Sequence, residues 1–178
     1  ARAKETLTFP AKFMLVASAN PCKCGYYGSS TRRCKCSPKQ VEQYMSKISG
    51  PLLDRIDIHI DVPAVDFQKL SAKHNGITSE QIRQHVITAR GIQNLRFKGD
   101  ARMTNAHMSH KQIEKFCPLS DLCKSMMAAA MKELALSARA HDKICKVSRT
   151  IADLENSADI KPEQLSEAIN YRKLDRQL

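Results

Sequence analysis

FMLVASANPCKCGYYGSSTRRCKCSPKQVEQYMSKISGPLLDR, residues 13–55, is the stretch whose reading decides the fold. An apolar run, FMLVAS, is bounded by Pro10 on one side and Asn20-Pro21 on the other, which reads as a short buried strand (13–18) ending in a polar corner. Residues 21–37 form a loop rich in Cys, Gly, Ser and Arg. Ser37 then opens a helix, with Pro38 at its first position and Gln40 placed to reach back to the cap. That helix runs to about residue 48 and stops at Ser49-Gly50-Pro51, where a short second helix leads to Asp54-Arg55.

Beyond this stretch, IDIHIDV (56–62) alternates apolar and polar residues and reads as a strand closed by Pro63. Residues 64–78 form a linker around His74-Asn75-Gly76, and the remainder is helical. Thr78 with Gln81 and Ser109 with Gln112 are capping boxes, Ser120 and Ser137 open two further helices, and Pro162 sits in the first turn of the last. Ile144, Val147, Ile151 and Leu154 repeat at three- and four-residue steps, as Leu165, Ala168 and Ile169 do, so each helix presents one apolar face to a bundle core. The fold class expected is mainly α: residues 1–63 as the end of an α/β domain, and 64–178 as a small helical bundle.

Composition narrows the function classes. No run of 18 apolar residues is present, so nothing reads as a membrane span, and the charged opening is not a secretory signal. Seven cysteines, an odd number with paired spacing, suit metal ligation better than a disulfide framework and point to the reducing cytoplasm. The net charge of +11 is divided almost evenly, +5 over 1–65 and +6 over 66–178. That favours a polyanionic partner such as nucleic acid, with a plain solvated basic surface as the alternative. No Gly-Lys-Ser/Thr occurs, so there is no phosphate-cradling P-loop, and the chain reads as the C-terminal portion of something longer.

Four constellations could carry chemistry. Cys22-x-Cys24 and Cys34-x-Cys36, nine residues apart, can place four thiolates around one Zn²⁺, and Lys23, Arg32, Arg33 and Lys35 would offset the negative charge of such a centre. Four thiolates leave no open position, so the zinc would be structural; reduced, metal-free cysteines are the alternative. Asn20, at the carboxyl end of the first strand, lies where open α/β sheets bind ligands, or is only a turn residue. Arg55, at the end of its short helix, can reach a neighbour's phosphates, or pair with Asp54 or Asp57. Arg139 occupies the first turn of a helix, where the dipole disfavours a cation unless an anion shares the site; otherwise it is solvated. Cys117, Cys123 and Cys145 read as small buried hydrophobes.

Two runs carry a resemblance. FPAKFMLVASANPCKCGYYG…CKCSPKQVEQYMSKISGPLLDRIDIHIDVPAV resembles the magnesium-chelatase-like AAA+ ATPases of the ComM/YifB type, and SARAHDKICKVSRTIADLENSADIKPEQLSEAINYR resembles that family's C-terminal lid domain. The resemblance implies that 1–63 is the end of an AAA+ α/β core with a Cys₄ insertion and 64–178 its helical lid. It further implies that Asn20 is sensor 1, positioning the attacking water, that Arg55 is the arginine finger acting on an adjacent subunit's ATP, and that Arg139 is sensor 2. Arg2 falls on a basic residue of the family pattern whose role is open. The parent implied is an ATP hydrolase using ATP and Mg²⁺, assembled as a homo-oligomeric, hexameric ring, and members linked to natural transformation act on DNA branch points. This chain alone, without Walker motifs, is expected to be inactive. A zinc-dependent nucleic-acid-binding module and a chelatase-type regulatory ATPase are the competing functions; the family's true chelatase subunits lack the cysteine insertion.

Overall fold

The computed structural model describes residues 7–9, 13–63, 76–100 and 102–172. Arg2 and most of the 64–78 linker lie outside the described residues. The chain divides into two compact units, Ala1–Met45 and Ser46–Leu178.

The first unit holds the cysteine loop and α1 (Pro38–Met45). The expected cap is present: Gln40 Oε1 accepts from the Ser37 N–H at 2.9 Å, and Ser37 Oγ accepts from the Gln40 N–H at 3.3 Å. Cys22 is the one buried residue among those described here.

The second unit is a helical bundle: α2 (Gly50–Leu53), α3 (Ser79–Arg96), a 3₁₀ turn (Asn105–His107), α4 (His110–Phe116), α5 (Asp121–Glu133), α6 (Ala138–Leu154) and α7 (Pro162–Asn170). Helix α6 is the hub, packing against α3, α4, α7 and the 3₁₀ turn, while α7 also packs on α5. Its apolar face buries Ile144, Cys145, Ile151 and Ala152 against Leu165 and Ala168 of α7, Met127 of α5 and Ile113 of α4. Phe97 and Phe116 meet edge to face with centroids 5.8 Å apart. Cys117, Cys123 and Cys145 are buried as expected, and burial pushes the Cys117 thiol up to about 11 and Cys145 up to about 12. The helix starts match their caps: Thr78 and Gln81 cap each other, and Ser120 and Ser137 accept from the N–H groups of Cys123 and Ala140.

Mainly α is the fold observed. The two strand expectations are corrected: neither 13–18 nor 56–62 forms a strand, and the β contact found among the described residues is an isolated parallel bridge between Leu119 and Ile160. The physical reason is that a strand's N–H and C=O groups need a neighbouring strand, and none of the described segments lies alongside to provide one. Both segments leave their apolar side chains exposed, with Phe13, Met14, Leu15 and Val16 in the first and Ile58, Ile60 and Val62 in the second. Residues 46–63, read with the first domain from sequence, lie in the helical unit.

A buried polar cluster pins the bundle. Asp153, fully buried on α6, accepts from Arg96 at 2.5 and 2.6 Å, from Arg149 at 3.1 Å and from Asn105 at 2.8 Å. Arg149 also donates to the carbonyls of Ser157 (2.6 Å) and Ala158 (2.7 Å), which ties the turn after α6 to the helix.

Candidate metal centre and anion-facing cleft

In the first unit, a turn at Pro21–Gly25 brings the four cysteines together. Gly25 adopts φ +81°, a left-handed conformation that glycine reaches without strain, and its N–H donates to the Cys22 carbonyl at 3.0 Å. Sulfur–sulfur distances are 3.4 Å (Cys22–Cys24), 3.7 Å (Cys22–Cys34) and 3.5 Å (Cys24–Cys34), and the four Sγ atoms, Cys36 included, lie within 4.8 Å of one another. A regular tetrahedron with Zn–S of ~2.3 Å has edges of about 3.8 Å, so the donor set fits one tetrahedral ion of that size. The thiols differ in acidity. The N–H groups of Lys35 and Tyr26 donate to Cys24 and bring it down to about 6. At Cys34 the Cys36 N–H pulls downward, but burial together with the sulfurs of Cys24 and Cys22 outweighs it and pushes the thiol up to about 12. At Cys22 burial and the Cys24 sulfur push upward, but the N–H groups of Tyr27 and Cys24 and the Cys34 thiol outweigh them and lower it as well. Cys36 is raised like Cys34. Two sulfurs thus favour charge while two resist it, a conflict that a divalent cation would resolve. Asn20 belongs to this unit; its amide carbon lies 4.0 Å from where a Cβ on Gly25 would stand.

In the second unit, the structure brings Arg139 to the segment that carries Arg55. Asp54 is the node. Ser137 Oγ donates to Asp54 Oδ1 at 2.9 Å, Arg139 Nη1 donates to Oδ2 at 2.6 Å, and Arg172, itself buried, lies 3.8 Å from Oδ1 and donates to the Ile56 carbonyl. Burial alone would raise the Asp54 carboxyl, but Arg139 and Ser137, with the charge of Arg172, outweigh it and hold it below the usual carboxylate range. The anion expected beside the first turn of α6 is therefore met here by Asp54. Arg55 is exposed at its side chain; its Nη1 donates to the Pro51 carbonyl at 2.7 Å, and its own carbonyl accepts from Lys143. Asp57, offered as a partner for Arg55, pairs with Lys143 at 2.9 Å.

Arg139, Lys143 and Lys146 line an open cleft of about 660 Å³ together with His110, His141 and Asp142. Asp142 accepts from both histidines at 3.1–3.3 Å, and those contacts outweigh burial and lower its carboxyl. The two lysines were not singled out from sequence. Their spacing after Arg139, four and seven residues on, was the available signal, since it places three cations on one helical face. Asp54 was noted only as a partner for Arg55; its pairing with Arg139 spans 85 positions and leaves no local trace.

Residues 76–172 match the family described as magnesium chelatase, subunit ChlI C-terminal, and residues 1–70 match magnesium chelatase, subunit ChlI. Competence protein ComM of Haemophilus influenzae is 40% identical over 178 residues, and an uncharacterized protein YifB of Escherichia coli is 36% identical over the same length. An uncharacterized protein of Mycobacterium bovis is 31% identical over 174 residues. These alignments cover 97–99% of this chain and 34% of each relative, so the chain spans about a third of their length. No helix among the described residues is long and apolar enough to cross a membrane.

Proposed function

We propose a function from the premise that this chain belongs to the magnesium chelatase ChlI-type family, in its ComM/YifB branch: it is the part of an AAA+ ATPase that completes, rather than cradles, a nucleotide site. The observation that carries this reading is the gathering of Arg139 and the Arg55 segment at the N-terminus of α6, through Asp54, with Lys143 and Lys146 behind them. Fixed cations beside a helix N-terminus suit the oxygens of a polyphosphate.

In this reading ATP and Mg²⁺ are held chiefly by residues of the longer protein, and the bound nucleotide supplies the phosphoryl group that is transferred to water. Arg139, as sensor 2, meets phosphate charge from the lid. Arg55, as the arginine finger, projects into an adjacent subunit's site and stabilises charge developing there. Asn20, as sensor 1, orients the attacking water through its side-chain amide. The domain division is 1–63 as the end of the AAA+ core and 64–178 as the lid. The bare apolar side chains at 13–16 and at Ile58, Ile60 and Val62 support this, since apolar surface of that kind suits packing against a further part of a larger domain. The assembly is a homo-oligomeric ring, hexameric, working in the cytoplasm on DNA, and the cysteine loop holds a structural Zn²⁺.

The test uses a polypeptide of the relatives' full length. Arg55→Ala is expected to lower ATP turnover by ~10³ or more and to be partly restored when mixed with wild-type subunits, because the finger acts in trans. Arg139→Ala is expected to lower turnover without such rescue if sensor 2 serves its own subunit. Unchanged turnover in both variants overturns the reading.

A further inference from the structure

The outer edge of the cysteine loop carries chemistry that neither a structural metal nor a nucleotide site uses. Lys23 lies between Cys22 and Cys24, Arg32 and Arg33 immediately precede Cys34, and Lys35 lies between Cys34 and Cys36. All four cations are exposed, and no Asp or Glu occurs from Leu7 to Val41. The metal centre offsets part of this charge, but its sulfurs converge inward, with Cys22 fully buried. The cations therefore face solvent with no carboxylate of their own segment beside them.

Aromatic rings accompany the charge. The Arg32 guanidinium carbon lies over the Tyr26 ring, 4.5 Å from its centroid, and Arg32 Nη1 donates to the Tyr26 hydroxyl at 2.8 Å. Arg32 is thereby held by its neighbour instead of sweeping through solvent. Tyr27, the next residue, is 56% exposed although it is large and partly apolar. Ser29 Oγ accepts from the N–H groups of Thr31 (3.2 Å) and Arg32 (3.4 Å), which holds the turn that leads into Arg32.

We infer that this edge of the loop binds single-stranded nucleic acid. Lys23, Arg33 and Lys35 meet the phosphates. Tyr27 and the Arg32–Tyr26 pair offer faces on which unpaired bases stack. A duplex presents phosphates but hides its base faces within the stack, so the aromatic part of the surface is satisfied only by a single strand. The inference rests on the DNA-directed reading above only for the class of partner, and it requires no ATP hydrolysis.

The experiment measures binding of the 178-residue chain, loaded with Zn²⁺, to a labelled oligothymidylate, to the same strand paired with oligoadenylate, and to heparin, without nucleotide and across a salt series. The single strand is expected to bind most tightly. Tyr27→Ala and Arg32→Ala should each weaken it about tenfold, the loss of one stacked base. Tyr27→Phe, which keeps the ring, should bind as the native chain does. Arg33→Gln should reduce the salt slope by ~0.7, one phosphate contact on a single strand. Zinc content, measured on every variant, shows that the loop is intact; Arg32→Lys, which keeps the charge, replaces Arg32→Ala if that variant loses metal. Unchanged affinity in Tyr27→Ala and Arg32→Ala with full zinc content overturns the inference. Equal affinity for heparin, or for the duplex, overturns it as well. Because nucleotide is absent, a failed ATPase test leaves this result standing, and a failed binding test leaves the ATPase reading standing.

Discussion

The two units of this chain hold their shape by different means. In the first, one residue among those described is buried, and it is a cysteine. In the second, Ile144, Leu165, Met127 and their neighbours form a continuous apolar core, with the Asp153 carboxylate and the Arg149 guanidinium buried in it and the half-buried Arg96 paired to them from its margin. A loop as polar as 21–37 removes too little apolar surface from water to offset the entropy of ordering it. Four convergent cysteines stand in place of that core, and in the proposed reading a bound Zn²⁺ supplies the missing order. A helical bundle has the reverse difficulty: ample apolar surface but little to fix which helix meets which. The Asp153 cluster addresses this, because its donors come from α3, α6 and the 3₁₀ turn and are satisfied together in one arrangement.

Metal removal is the hardest blow to this contrast. Chelation, or Cys24→Ser, is expected to abolish ordered structure in the loop while the helical unit keeps its cooperative melting transition. Zinc contributes ~10–16 kcal/mol in small structural sites, far more than the loop's other contacts can replace. Amide spectra recorded with and without chelator decide it: loss of dispersion confined to residues near 22–36 supports the contrast, and simultaneous loss in α6 and α7 breaks it.

Asp153→Ala reverses the experiment. It removes the acceptor shared by Arg96 and Arg149 and leaves two guanidinium groups in the bundle interior without their counter-charge. The expected cost is about 3–5 kcal/mol in the denaturant-unfolding free energy of the helical unit, with zinc stoichiometry unaltered. A cost below about 1 kcal/mol would mean the cluster is incidental and the apolar core alone specifies the bundle.

What could be read from sequence follows the same division. The helix starts were legible because a cap is a local signal: Ser37 with Gln40, or Thr78 with Gln81, needs only three residues of context. The apolar faces of α6 and α7 were legible for the same reason, as was the convergence of closely spaced cysteines. The strands were misjudged because an apolar run such as FMLVAS specifies a strand only when a neighbour supplies its ladder. Asp54 as the partner of Arg139, and Asp153 as the partner of Arg96, were invisible, since they join positions 85 and 57 residues apart through charges that look ordinary on a linear chain.

Acid titration sharpens the comparison at the surface of the helical unit. Asp54 and Asp142 both have lowered carboxyl pKa values in the folded chain. A carboxyl depressed on folding adds stability that is fully present above its unfolded value near ~3.9 and is lost as pH falls through its folded value. Stability of the helical unit is therefore expected to be flat with respect to these groups above about pH 5 and to fall below about pH 4. Asp54→Asn should lower stability at neutral pH and make the acid fall shallower. An equally steep fall in the variant would assign the acid sensitivity to other groups.

The smallest expected effect tests backbone strain instead of contacts. Ala135, between α5 and α6, has φ +48°, in the left-handed region where its Cβ crowds the following carbonyl. The conformation is held by the end of α5, whose Met131 carbonyl accepts from the Leu136 N–H at 3.1 Å. Ala135→Gly removes the steric cost but gives the unfolded chain more freedom, and the two effects oppose each other. With the strain at ~1–2 kcal/mol and the entropy at ~0.4–1 kcal/mol, the balance favours the variant by a few tenths to about 1 kcal/mol. Denaturant unfolding of the helical unit is expected to move to slightly higher midpoint with unchanged slope. A destabilised Ala135→Gly would show that chain entropy outweighs the strain at this turn, and that the bundle's stability lies wholly in its core and its buried charges.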